Sequence, residues 1–131
     1  MTELFAQALW IYMYAVLVAI VAVAMYGVVA RPNIVKKIIA LTILADTANT
    51  FMIFIGYRLG STTPPVLTTL NPSQAEIASF VASAVDPVPQ CLVITAIVIN
   101  MAVTALLIFL AIQAYRLHKT LDARRLSKLR G

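Results

Sequence analysis

The sequence predicts an all-α integral membrane protein with three transmembrane helices. Three observations carry that prediction. Of 131 residues, 62% are hydrophobic and only 11% are charged, too few charges to cover a soluble domain of this size. The apolar residues come in long unbroken runs, which a globular core does not require. Those runs do not alternate apolar and polar in segments of about ten residues, as a membrane β-barrel would. Helices then remain as the way to satisfy every backbone N–H and C=O in lipid.

The first span is predicted over about residues 9–30, an apolar run from Leu9 to Ala30. Trp10, Tyr12 and Tyr14 cluster at its start and Tyr26 lies near its end, as interfacial aromatic belts do. The segment before it carries Glu3 and no Lys or Arg, and the run is too long for the apolar core of a signal peptide.

Arg31-Pro32-Asn33 breaks this helix, because Pro32 disfavours helical geometry at Arg31. A second span is predicted over residues 34–57, with Lys36 and Lys37 in its first turns and Gly60 as a terminator. So short a connection makes helices one and two antiparallel neighbours.

Residues 60–86 form the least apolar stretch, an external loop with Pro64, Pro65 and Pro72. Asn71-Pro72-Ser73 looks like a helix start with Pro at its first position. Ile77, Val81 and Val85 recur at i, i+4 and i+8, which predicts a short amphipathic helix over roughly 72–84. Val66 to Leu70 reads equally well as extended chain.

The third span opens at Asp86-Pro-Val-Pro-Gln90. Asp86 can cap free N–H groups, and Pro87 and Pro89 suit a first turn. From Gln90 to Tyr115 there is no formal charge over about 26 residues, or ~39 Å of helix, against roughly 30 Å of bilayer core. The span is predicted over 90–115. A basic tail follows over 116–131, expected to continue as a helix out of the membrane and then fray.

Of ten Lys and Arg, Arg31, Lys36 and Lys37 flank the first connection, six lie in the C-terminal tail, and Arg58 alone lies at the other side. Three spans put both basic regions on one side, predicting the N-terminus outside and the C-terminus cytoplasmic. The basic residues beside apolar spans also account for the pI near 9.7 without nucleic acid. Cys91 is the one cysteine and His118 the one histidine. No internal disulfide, iron–sulfur cluster or bis-histidine haem can be built by this chain alone. The sequence predicts no cofactor, no metal site and no catalytic residue.

Asp46 is the one formal charge at mid-depth of a span, midway along helix two. A carboxylate there costs at least ~2.5 kcal/mol and usually faces a partner or a water-filled path. Thr42, Asp46, Asn49 and Ile53 follow at i, i+4, i+7 and i+11, one stripe of a helix. Helix three carries Thr95, Asn100 and Thr104. The plain reading is that such groups glue helices together, or that Thr hydroxyls bond back to their own helix. The sharper reading makes Asp46, Thr42, Asn49, Thr95 and Asn100 part of an ion pathway. Three helices enclose little water by themselves, and no basic residue sits at the depth of Asp46. Other subunits are therefore expected.

The run Asp86-Pro-Val-Pro-Gln-Cys-Leu-Val-Ile-Thr-Ala-Ile-Val-Ile99 closely resembles the Asp-Pro-Leu-Pro-Gln-Ala-Leu-Val-Leu-Thr-Ala-Ile-Val-Ile of the small three-helix subunit of Mrp-type cation/proton antiporters, MrpC or MnhC. That family in turn resembles the NuoK subunit of respiratory complex I. Tyr26-Gly27 leading to Arg31-Pro32-Asn33, Thr63-Pro64-Pro65-Val66-Leu67 and Ala48-Asn49 add to the resemblance, which covers nearly the whole chain except about 70–84. Two glutamates of the NuoK branch fall at Thr42 and near Thr95 or Ala96, so that carboxylate relay does not carry over. Asp46, one turn beyond Thr42, is the candidate to serve in its place. Asn100 stands where the family often has a small residue.

The resemblance implies a non-catalytic, multi-pass subunit in the cell membrane of a prokaryote, within a module exchanging Na⁺ for H⁺. The owner is a stand-alone antiporter or a redox-driven membrane-bound hydrogenase or sulfur-reducing complex of the complex I superfamily. Its partners are other membrane subunits, the two ions and the lipid bilayer. Two alternatives stand beside an ion-pathway role. One is a purely structural subunit that seals and spaces larger partners. The other is a stand-alone homo-oligomeric transporter, which the long motif disfavours.

Overall fold

The structure is a computed structural model that describes residues 1–57 and 63–129. The described residues form helices and connections, with no strand beyond two isolated bridges. Helices α1 (Thr2–Ala30), α2 (Ile34–Ile55) and α4 (Val88–His118) are each long and apolar enough to cross a membrane. At 1.5 Å per residue they reach ~43, ~33 and ~46 Å. Between α2 and α4 lies α3 (Gln74–Ser83), and after α4 come α5 (Ala123–Leu126) and a 3₁₀ turn (Ser127–Leu129).

The chain divides into two compact units, Met1–Ala48 with Val98–Gly131, and Asn49–Ile97. In the first, α1 begins at Thr2 rather than near Leu9. No Gly or Pro interrupts residues 2–8, and Glu3 suits the positive helix start. The few buried side chains are small: Ala24 on α1, Ala40 and Thr47 on α2 and Ala111 on α4. Small residues let helix backbones approach where the hydrophobic effect between helices is absent. Gly27 shows how close this approach is, since a Cβ there would sit 2.9 Å from the Ala40 Cβ. Most large apolar side chains of the spans are exposed.

The α1–α2 connection is well capped. Asn33 Oδ1 accepts from the N–H groups of Val35 at 2.9 Å and Lys36 at 3.3 Å, closing the start of α2. The Lys37 ammonium donates to the Val28 carbonyl, one of the acceptors left over at the end of α1.

The tail departs from the expected helical extension. Helix α4 stops at His118 and Lys119 takes a left-handed φ of 54°. The chain turns back and pairs with the first connection. Ile34 N–H donates to Leu121 O at 2.9 Å, and Ala123 N–H donates to Pro32 O at 2.8 Å. Asp122, opposite Asn33 in this antiparallel bridge, then caps α5 through Arg124 N–H. These bonds satisfy backbone groups that a straight, fraying tail would leave to water.

In the second unit, α2 ends at Ile55 rather than Tyr57. The N–H groups of Gly56 and Tyr57 close tight i→i−3 bonds. Asp86 N–H donates to Gly56 O at 3.1 Å, and Asp86 Oδ1 accepts from Val88 N–H at 2.9 Å, starting α4 two residues earlier than expected. Helix α3 is capped by Ser73 rather than Asn71, and Pro72 stands before the cap. Ser73 and Glu76 form a reciprocal capping box. Residues 66–70 adopt no regular element. Thr63 pins the loop to the end of α3, donating from its hydroxyl to Ser83 O at 2.8 Å and accepting from Val85 N–H at 3.2 Å. The positions assigned to Arg58, Gly60 and Arg130 lie outside the described residues.

Candidate functional site

Helix α2 carries the polar stripe without a break from Ile34 to Ile55. At about 100° per residue, Thr42, Asp46 and Asn49 fall within about 60° of one another. The opposite side of α2 carries the buried Ala40 and Thr47. The stripe therefore points away from the face that holds Ala40 against Gly27.

Each member has a distinct setting. The Thr42 hydroxyl donates to Ile38 O at 2.9 Å, four residues back. It serves its own helix in the way that Thr does in apolar surroundings. Asn49 is half-buried and its side-chain Nδ2 is enclosed without a hydrogen-bond acceptor. Asp46 is exposed at the surface of the chain, in the middle of a membrane helix.

The α4 residues separate. Asn100 and Thr104 share the inward stripe of α4 with the buried Val93 and Ala111. Thr95 lies about 140° around the helix from Asn100 and is exposed. Its hydroxyl donates to Cys91 O at 3.4 Å. The predicted residues thus do not form one cluster: Thr42 and Asp46 lie on α2 and Asn100 with Thr104 on α4 in the first unit, while Asn49 and Thr95 belong to the second. Sequence reasoning passed over Thr47, the buried polar side chain of α2, whose hydroxyl donates to Ile43 O at 2.7 Å. Its i+7 spacing from Ala40 was the available signal.

Among the described residues, no three His, Cys, Asp or Glu side chains come together as metal ligands. The arrangement offers one carboxylate, amides and hydroxyls on membrane helices. Those groups can accept and relay a proton or strip water from a small cation; they offer no nucleophile–base pair.

The chain matches the family described as NADH-ubiquinone/plastoquinone oxidoreductase chain 4L over residues 12–131. Among solved structures it is similar to a chain of the membrane-bound sulfane sulfur reductase, an archaeal respiratory membrane complex. That likeness has a TM-score of 0.69 at 33% identity and covers 85% of this chain and 93% of that one. It is also 37% identical over 81 residues to an uncharacterized protein of Methanocaldococcus jannaschii, covering 62% of this chain and 59% of that protein.

Proposed function

Because the chain belongs to the family of NADH-ubiquinone/plastoquinone oxidoreductase chain 4L, we propose that it works as a small membrane subunit of a complex I-like respiratory assembly. Its three apolar helices make it a multi-pass membrane protein. Within the assembly it contributes α2 and α4 to a route for H⁺ or Na⁺ in an antiporter-like module, together with adjacent membrane subunits. The redox chemistry belongs to other subunits. The chain sits in a prokaryotic cell membrane with its N-terminus outside and its C-terminus in the cytoplasm.

The observation that carries this reading is the exposure of Asp46 midway along α2. The part of Asp46 that the chain leaves exposed meets hydrocarbon or another subunit. Hydrocarbon is costly, so the face is covered by a polar partner or by water held between subunits. Thr42, Asn49 and Asn100 supply further polar groups on α2 and α4. Thr95, on a separate face, contributes to a contact with a different neighbour. The test is ion transport by the whole complex when Asp46 loses its charge.

A structural role is the second reading. The hydroxyls of Thr42 and Thr95 bond back to their own helix, as packing residues do. On that reading Asp46 only pairs with a cation of a neighbouring subunit, and its loss disrupts assembly rather than transport.

A further inference from the structure

We propose that the end of the molecule carrying Asn33 and Asp122 is a binding surface for the phosphate headgroups of anionic lipids. Residues 31–37 and 116–129 hold eight Lys and Arg against a single acid, Asp122. Asp122 caps α5, its carboxylate accepting from Arg124 N–H at 2.9 Å. One carboxylate can offset only one of the eight cations, so seven positive charges stay uncompensated in these segments.

The fold gathers this charge. Without the turn at Lys119, the tail would carry its basic residues away from the α1–α2 connection. With it, two backbone bonds fix residues 121–123 against residues 32–34, so that Arg124 and Arg125 return to the level of Arg31 and Lys36. All four, with Lys119, are exposed.

Position favours lipid over an acidic protein face. Arg31 is the C-terminal cap of α1, Lys36 lies in the first turn of α2 and Arg116 in the last turn of α4. Those are the levels at which a spanning helix leaves the hydrocarbon and meets headgroups. The cations carry long apolar stems that reach such a boundary. Several Lys and Arg held at one such level attract anionic lipid through a field that salt screens.

The test uses the full chain in a zwitterionic detergent, with bound lipid counted by native mass spectrometry. Phosphatidylglycerol and phosphatidylcholine of matched acyl chains are the probes. Phosphatidylglycerol is expected to bind more tightly, and salt is expected to reduce that preference. Arg124→Gln with Arg125→Gln is expected to weaken phosphatidylglycerol by at least about fivefold and leave phosphatidylcholine unchanged. Ala123→Pro keeps every charge and removes only the N–H bonded to Pro32 O, at a first helical position where Pro is tolerated. It is expected to lower the preference as well. Equal binding of the two lipids would overturn the proposal, as would a preference indifferent to both variants. So would a basic end that retains no phosphatidylglycerol in the isolated chain yet becomes protected when the other subunits assemble, which would assign it to an acidic protein surface.

Discussion

Gly27 and Ala40 bring α1 and α2 to near-backbone contact: a Cβ on Gly27 would lie 2.9 Å from the Ala40 Cβ. No other side chain fits at 27 without moving a helix. Gly27→Val should therefore destabilise the α1–α2 pair by about 1–3 kcal/mol. Gly27→Ala should cost less, and adding Ala40→Gly should restore most of that smaller loss, because the total volume at the crossing is then unchanged. Thermal unfolding of the full chain in detergent reads both. A single Gly27→Val as stable as the parent would show that the helices do not meet there.

Gly56 makes a comparable approach in the second unit. A Cβ there would lie 3.0 Å from the Asp86 carbonyl oxygen and 3.1 Å from Pro89 Cγ. Backbone and a proline ring yield less easily than a flexible side chain. Gly56→Ala is expected to cost about 1 kcal/mol or more and to loosen the Asp86–Gly56 bond that starts α4. Faster hydrogen exchange at Asp86 and Val88 would register it.

The Ser73–Glu76 box predicts a pH response confined to α3. Ser73 N–H donates to Glu76 Oε2 at 2.7 Å, and this bond, with the Ser73 hydroxyl, holds the Glu76 carboxyl below its usual range. A carboxyl lowered in the folded state stabilises fully above its ordinary pKa and loses that contribution as pH falls through the lowered value. The protection of α3 amides should therefore drop on acidification, after correction for intrinsic exchange. Glu76→Gln should flatten that response. Ser73→Ala should weaken the helix by about 1 kcal/mol at neutral pH. A response unchanged in Glu76→Gln would contradict the assignment.

Much of this was legible in the sequence. Three apolar runs located α1, α2 and α4, because a bilayer core needs a minimum helix length. Asp86 before two prolines signalled the start of α4, and Ser73 with Glu76 three residues on was a readable capping pattern. The reversal at Lys119 was not legible, since neither Gly nor Asn marks that left-handed residue. It is held by bonds from Ile34 N–H to Leu121 O and from Ala123 N–H to Pro32 O, between segments far apart in sequence. Nor was the separation of Thr95 from Asn100 evident until their five-residue spacing was laid on a helix whose inward face is set by Val93 and Ala111.

Asn49 separates glue from pathway on α2. Its Nδ2 is enclosed without an acceptor, so removing it forfeits no hydrogen bond from that nitrogen. Asn49→Leu should leave stability unchanged or raise it, by up to about 1–3 kcal/mol, the cost of an unsatisfied buried donor. Ion movement by the assembled complex should nonetheless fall. A marked loss of stability with normal transport would make Asn49 a packing residue.

On the proposed function, Asp46 serves ion movement at a subunit contact. The direct measurement is Na⁺-dependent proton movement in vesicles carrying the whole complex with Asp46→Asn, with assembly followed by native gel on the same preparation. An assembled complex that has lost most of its transport is the expected result. Transport at the parental rate would contradict it, and so would a complex that no longer assembles, which would make Asp46 a structural ion pair.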